Sequence, residues 1–412
     1  MAIVLSDNYI GYSQVGNDRG LLDGRNANSS SFSPLKNRII NGNFKINQIS
    51  TTDTAQNQTT RYFPIDRWWT IGSVGGKFTT QIVNDGPSVN TTYFSVRRSA
   101  YIYPETGRAL NKCVEIKSLA ATTLGATDVY AFGQNIEGRH VVDMRFGEAA
   151  GPFYFIVSFW FKASQAGTYT LRLQNSAQDR TIHETFSVYT ANVWEFQEIP
   201  FAVDQSGTWL SDINTGLRLI FNLGVGTSYR GTAALSVWNS TSTELCSSAT
   251  TVHLVNTLNA TMRITGVQLE FIGTGFPTTN MFATAFEERP FQQELDLCRR
   301  YFQKSWAYGT NPGVQTTIGM LLHTDMQPST VQQYLLWKWP VPMRAGPTIE
   351  IYGYNNPAVA GYGHVWGTQI NSIGDYAATA TAQSRYGAMF FITSPPYHTL
   401  AGFHFKANAE PA

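Results

Sequence analysis

The side chains of this 412-residue chain that could do acid-base, nucleophilic or metal chemistry are seven histidines, 28 acidic residues and three cysteines. Their spacing decides whether they could act together. The histidines (His140, His183, His253, His323, His364, His398, His404) form no close pair, and there is no HExxH to put two of them on one helix face. No G-x-S-x-G elbow is present. Gly72-Ser-Val-Gly-Gly-Lys77 comes nearest to a phosphate loop, but it lacks the spacing and the following Ser or Thr. Glycoside cleavage needs two carboxylates facing each other across a sugar. Glu137, Asp143, Glu148, Glu184 and Glu195 are available, and nothing in the pattern selects two of them. The expectation is a protein with no catalytic residues, no metal ligands and no cofactor. A jelly roll can hold a structural Ca²⁺ through scattered carboxylates and carbonyls, but no D-x-[DN]-x-[DN]-G loop marks one.

A second kind of chemistry is stacking. Aromatic residues make up 13% of the chain, nearly as much as the 14% that is charged. Many lie after residue 305, amid Gly, Asn and Pro: Trp306, Tyr308, Trp337, Trp339, Tyr352, Tyr354, Tyr362, Trp366, Tyr376 and Tyr386. A flat ring is what the apolar face of a sugar rests on, and such contacts favour loops. Trp337 and Trp339 share strand parity and are expected in a core or subunit interface. The segment Gly361-Tyr-Gly-His-Val-Trp-Gly367, between glycines, reads as an exposed loop. Tyr362, His364 and Trp366, with Tyr354 nearby, are therefore the expected glycan-contacting residues.

Composition removes other classes. A net charge of +1 with no Lys/Arg run argues against nucleic-acid binding, which needs a basic face for phosphates. No apolar window approaches the ~18 residues of a membrane span, so no membrane insertion is expected. The N-terminal MAIVLSDNYIGY lacks the basic start and long apolar core of a secretory signal. Cys113, Cys246 and Cys298 are far apart and odd in number, which offers no disulfide framework and fits assembly in a reducing cytoplasm.

The elements that must position these residues are mostly strands. Residues 1–37 lack periodicity and read as an extended arm. From 38 to 272, short apolar or alternating runs separated by turns indicate a two-sheet antiparallel sandwich. Tyr169, Leu171 and Leu173 alternate with Thr170, Arg172 and Gln174, predicting one buried and one wet face. Phe153 to Phe161 is apolar on both faces and is expected at a sheet centre. Residues 273–304 hold a linker and one helix: Pro290 suits a first turn, and Phe291, Leu295, Cys298 and Phe302 recur at helical spacing. Residues 305–412 return to strand character with frequent Pro and Gly. The predicted fold class is mainly β: an antiparallel jelly-roll sandwich, one linking α-helix, and a second, C-terminal β-sandwich.

Three blocks also resemble a known family. Glu288-Arg-Pro290 leading into Glu294-Leu295, Leu297-Cys298 and Arg300-Tyr-Phe302 resembles a signature of tail-fibre and receptor-binding proteins of tailed bacteriophages. Arg38-Ile-Ile-Asn-Gly-Asn-Phe44 with Asp66-Arg-Trp-Trp69 resembles the entry of the carbohydrate-binding-module-like jelly roll of such proteins, and Ile264-Thr-Gly-Val-Gln-Leu-Glu270 its last strand. Phe291 and Gln292 stand where relatives often have Tyr-Gly. The resemblance implies a virion protein at the tail or particle surface. Its arm (1–37) would join other virion proteins, its body would form a homotrimer, and its C-terminal tip (305–412) would bind host surface polysaccharide. A capsid-decoration, head-fibre or baseplate protein keeps the same folds and contacts protein instead; a glycan depolymerase is a third class.

Overall fold

The computed structural model describes residues 36–49, 52–53, 62–87, 92–93, 101–102, 110–231, 235–240, 244–274, 281–323, 333–355, 359–367, 374–392 and 398–411. Residues 1–35 of the expected arm lie outside these; Lys36, at its end, donates from Nζ to Thr284 Oγ1 and the Ala285 carbonyl, each at 2.7 Å. The chain forms two compact units. Of the described residues, the first holds 36–44, Tyr62 and those within Trp69–Glu288; the second holds those within Arg289–Ala412 together with those within Lys45–Asp53 and Phe63–Trp68. Two stretches inside the expected 38–272 segment thus belong with the C-terminal residues.

In the first unit the alternating runs become β1 (Trp68–Gly72), β2 (Phe78–Val83), β3 (Cys113–Ser118), β4 (Val129–Glu137), β5 (Tyr154–Ala163), β6 (Gly167–Asn175), β7 (Thr181–Val188), β8 (Glu195–Ala202), β9 (Thr215–Val225) and β10 (Thr261–Gly273). One sheet runs β2-β3-β10-β5-β8 and the other β7-β6-β9-β4-β1, with antiparallel neighbours throughout the first and along β7-β6-β9-β4 of the second. The core between them is aromatic. Phe159 and Phe161 of β5 meet Phe221, Phe186 and Tyr169 of the opposite sheet edge-on, with ring centroids 4.9–5.2 Å apart. Such pairs add roughly 0.5–1.5 kcal/mol each beyond their buried area.

The two-faced apolar pattern of β5 predicted a central strand; β5 is an interior strand paired on both sides, between β10 and β8, but lies one in from the edge that β8 forms. Its other face, with Ile156 and Trp160, forms a second core with Leu110, Trp194, Phe196, Met281 and Ala283. The prediction for β6 needs correction. Thr170, Arg172 and Gln174 are buried, not wet. The segment after β9 lies over that face: Cys246 Sγ is 3.6 Å from Thr170 Oγ1, and the Thr251 and Val252 amides donate to the Thr168 carbonyl. Alternation reveals which face a residue takes, but not what later covers that face.

The blocks that carry the family resemblance meet in pairs. Within the first unit, Arg38 N donates to the Leu269 carbonyl and Val267 N to that of Gly42. Gln134 clamps Ile40 through both its carbonyl (2.8 Å) and its amide (2.9 Å). A Cβ on Gly42 would run into the Val267 carbonyl, so the glycine of Asn-Gly-Asn is required by close approach. Trp69 is buried and donates its indole N–H to Asn135 Oδ1 at 3.0 Å.

Within the second unit, the Arg67 guanidinium lies 3.4 Å above the Tyr301 ring and pairs with Glu410. Asp66 accepts from both Gln48 N and Gln48 Nε2 at 2.6 Å. These contacts explain why residues 63–68 belong to this unit. Its helix α1 (Phe291–Arg299) starts after Pro290, which sits at the N-cap in an extended conformation. Leu295 and Cys298 are buried as the stripe predicted. Phe291 is not: it is exposed and meets Tyr308 edge-on at 5.2 Å. Asp296 takes Gln292 (2.8 Å) and Arg299 (3.2 Å) on the outer face.

The rest of the second unit is one antiparallel sheet of β11 (Phe302–Lys304), β12 (Leu321–His323), β13 (Gln333–Lys338), β14 (Thr348–Tyr352), β15 (Tyr362–Gly367), β16 (Gly374–Ser384), β17 (Gly387–Ile392) and β18 (His398–Asn408). The order is β11-β18-β15-β16-β17-β13, and β12 and β14 also pair with β18. Phe390 of β17 packs on Phe403 (5.0 Å) and Phe405 (5.5 Å) of β18, although two strands lie between them in the sheet. The sheet therefore curls over its own core, which Trp339, Met343 and Ile351 help fill.

Candidate functional site

The expected site falls on β15. Tyr362–Gly367 is a strand rather than the predicted loop: Tyr362 to Val365 pair with β16 straight through Gly363, and His364 to Gly367 pair with β18 with one irregularity at Trp366/Gly367. In register, Tyr362 is opposite Ala377, and His364 is opposite both Asp375 and Gly402. Tyr362 is 40% exposed and Tyr354 is half-buried; the side chains of His364 and Trp366 lie outside the described residues.

The other C-terminal aromatics mostly turn inward. Trp306, Trp339 and Tyr352 are buried, and Trp337 packs against Phe405 at 5.9 Å. Trp306 stacks on His404 with centroids 4.3 Å apart. His404 is held at both ring nitrogens, by Ser305 Oγ (2.9 Å) and the Thr316 carbonyl (2.8 Å), and burial lowers its pKa. It is a core histidine. Tyr386, 59% exposed beneath Arg385, is the main exception.

A different aromatic group, absent from the sequence expectation, stands on loops of the sandwich. Phe146 follows a short 3-10 turn (Val142–Met144), Trp209 sits in the loop after β8, and Trp238 lies in the segment after β9. Phe146 stacks on Trp209 at 4.3 Å, Trp238 meets Trp209 edge-on at 5.2 Å, and Phe146 and Trp238 are 6.0 Å apart. All three are half-buried. Their polar handles are already used: Trp209 Nε1 donates to the Ser206 carbonyl (2.9 Å) and Trp238 Nε1 to that of Ala202 (2.8 Å). What remains for a ligand is ring surface.

The loops under the cluster are fixed. Asp204 accepts from Arg180 Nε (2.6 Å) and a terminal nitrogen (2.8 Å), and from Ser206 N and Oγ. That hydrogen bond raises the Arg180 pKa further. Gly147 donates its amide to the Asp204 carbonyl at positive φ, where a Cβ would press on Trp209. Asn239 pairs with the β7 backbone at Thr181 and Ser236 donates to Glu184, anchoring the strip that carries Trp238. Gln205, Thr208 and Glu148 are exposed alongside in these loops. No periodic signal marks the three aromatics, since each comes from a separate irregular segment.

The five carboxylates considered for glycoside cleavage are all engaged. Glu137 pairs with Arg139, Asp143 with Arg38 at 2.6 Å, and Glu148 with Arg145; Glu195 caps the amides of Tyr189 and Thr190 at 2.9 Å. Glu184 takes Ser236, and burial pushes its pKa up to about 7. Among the described residues no three His, Cys, Asp or Glu side chains gather as a metal ion would require. All three cysteines are free and buried, and burial raises the Cys113 thiol to about 12.

No protein-family model matches the chain, and no curated protein does. Solved structures resemble parts of it. The enzymatically active domain of bacteriophage CBA120 tailspike protein 4 is 13% identical over 58% of this chain, with a TM-score of 0.29, and the chain spans only 22% of that domain. A family 61 carbohydrate-binding module solved with β-1,4-galactotriose is 11% identical, covering 57% of this chain and 99% of the module, with a TM-score of 0.25. A family 11 carbohydrate-binding module from Clostridium thermocellum, in complex with a mixed-linked tetrasaccharide, is 10% identical over 55% of this chain and 98% of its own, with a TM-score of 0.23. At these scores what the protein does has to be read from its own residues.

Proposed function

We propose that the protein is a glycan-binding attachment protein of a tailed-phage virion, and that its sandwich holds saccharide on the Phe146, Trp209 and Trp238 cluster. The cluster is the observation that carries the glycan reading. Three rings from three anchored loops, with their indole N–H groups satisfied internally, leave apolar surface beside exposed Gln205 and Thr208. That combination suits the apolar face of a sugar and its rim of hydroxyls. The virion role is supported by the resemblance of residues 38–44, 66–69, 264–270 and 288–302 to phage receptor-binding proteins. Tyr362, with its neighbours on β15, remains a second contact in the same reading. Catalysis forms no part of it.

The test is binding of the purified full-length protein to intact host cells and their extracted surface polysaccharide. Replacing Trp209 and Trp238 together by Ala is expected to weaken polysaccharide binding by about tenfold or more, since each stacked ring contributes on the order of 1 kcal/mol. Unchanged binding by a folded double variant would remove the cluster from the site.

A protein-contact reading has one observation in its favour. Leu336, on the edge strand β13, is 78% exposed, and an exposed apolar edge invites another chain. Loss of oligomer mass on Leu336→Asp would assign that edge to self-association.

A further inference from the structure

The rings of the loop cluster stand among ionisable side chains, and the pairing of these decides what charge a ligand meets. Three arginines adjoin the loops, and each is engaged within the protein: Arg139 with Glu137 at 3.2 Å, Arg145 with Glu148 at 2.7 Å, and Arg180 with Asp204 at 2.6 Å. Arg145 also covers the Phe153 ring, 4.7 Å from its centroid. Arg218 is buried beneath the turn after β6, where it donates to the Ser176 carbonyl at 3.2 Å.

Two carboxylates remain. Asp179, in the turn after β6, and Asp212, three residues past Trp209, are exposed and have no cation within ion-pair distance among the described residues. Each is fixed near Trp209. Asn175 Nδ2 donates both to Asp179 Oδ1 (2.7 Å) and to the Thr208 carbonyl (3.2 Å), so one amide group holds that carboxylate beside the residue preceding Trp209. Asp212 takes the backbone N–H of Asn214 (2.9 Å) and its side-chain amide (2.8 Å), while its own carbonyl accepts from Arg139 N at 2.9 Å. Amides fix these two carboxylates without neutralising them. The rim of the cluster is therefore net negative.

We propose that the cluster selects uncharged saccharide and excludes acidic polysaccharide. The inference rests on the reading that these rings hold a glycan. A neutral pyranose lays its C–H face on the rings and offers hydroxyls to Gln205, Thr208 and the two carboxylates, which are strong acceptors. A uronate or phosphate would bring a second anion to a rim that offers it no free cation among the described residues. At a separation of about 7 Å in water, each like-charge pair weakens binding on the order of threefold, and the penalty fades as salt screens it.

The test separates extracted host surface polysaccharide by anion exchange into neutral and acidic fractions and titrates each with the full-length protein at low and high salt (about 0.02 and 0.5 M). The neutral fraction is expected to bind equally at both. The acidic fraction should bind roughly tenfold more weakly at low salt and gain at high salt. Asp179→Asn combined with Asp212→Asn should raise acidic binding at low salt by about five- to tenfold and leave neutral binding within about twofold. Acidic binding equal to or tighter than neutral at low salt, or acidic binding unmoved by the double substitution, would overturn the proposal. Trp209→Ala combined with Trp238→Ala keeps the two questions apart. If that variant loses a preferred acidic fraction, the cluster stands as the site and only its charge preference falls; neutral binding that survives in it, or binding of neither fraction by the parent, overturns the glycan reading itself. The salt dependence needs no variant, so it decides even where a substituted loop loosens.

Discussion

The loop end of the sandwich and the curled C-terminal sheet are both rich in aromatics and use them in opposite ways. In the sheet, Trp306, Trp339 and Tyr352 are turned inward, with Trp339 donating its N–H to the Ser384 carbonyl at 2.9 Å from inside the core. In the sandwich, Trp209 and Trp238 also satisfy their N–H groups on backbone, yet keep part of each ring at the surface. The difference is support. A strand aromatic is drawn against the facing layer, because burying it gains about 25 cal/mol per Å². A ring on an irregular loop stays out when its neighbours are other rings on equally fixed loops. Aromatic abundance alone therefore does not locate a binding surface.

The largest expected effect tests this contrast directly. Trp339→Ala should cost about 3–5 kcal/mol of stability by leaving a core cavity, whereas Trp209→Ala should cost only about 1 kcal/mol. Denaturant melts of the two variants decide it; equal losses would make the Trp209 cluster a core and break the comparison. Next comes Gly42→Ala. Its methyl would meet the Val267 carbonyl, and about 1–3 kcal/mol of destabilisation is expected, with the melt again as readout.

A smaller effect separates the histidines of the two regions. Burial, with Arg230 nearby, lowers His253 to about 4, and its Nε2 has no partner, whereas His404 is bonded at both nitrogens. Because the folded pKa lies below the unfolded value of roughly 6.5, the unfolded chain binds the proton first. His253 thus favours the fold above about pH 6.5, and that contribution is lost as pH falls through its folded pKa of about 4. Glu184 and Glu410 act oppositely: burial raises each to about 7, so their contribution is full below roughly pH 4.5 and lost as pH rises through 7. His253→Gln should therefore shrink the drop in melting temperature between pH 7 and pH 5; an unchanged drop would place its origin elsewhere. The smallest effect is expected from Tyr362→Ala, with stability within about 0.5 kcal/mol of the parent and adsorption to host cells reduced. Full adsorption by that variant would leave the sandwich loops as the contact.

Much of the fold was legible before the structure. Pro290 followed by Leu295 and Cys298 located α1, and the two-faced run from Phe153 marked β5 as a strand buried on both faces, because both signals are local. The site was less legible. The glycines around Tyr362, His364 and Trp366 predict a loop, but strand pairing outweighs the glycine signal. Phe146, Trp209 and Trp238 come from segments far apart in sequence, and no spacing rule brings them together.

What the sequence determined by itself was the set of elements and the faces they would bury, since these follow from period-two and period-3.6 patterns within a few residues. It also carried the blocks whose resemblance pointed to phage receptor-binding proteins. Only tertiary structure decided what those blocks do, pairing 38–44 with 264–270 and Arg67 with Tyr301 and Glu410. It likewise decided that the outer face of β6 is covered and that one aromatic group stays open while another closes. Exposure depends on which distant segment arrives to cover a surface, and local pattern holds no record of that.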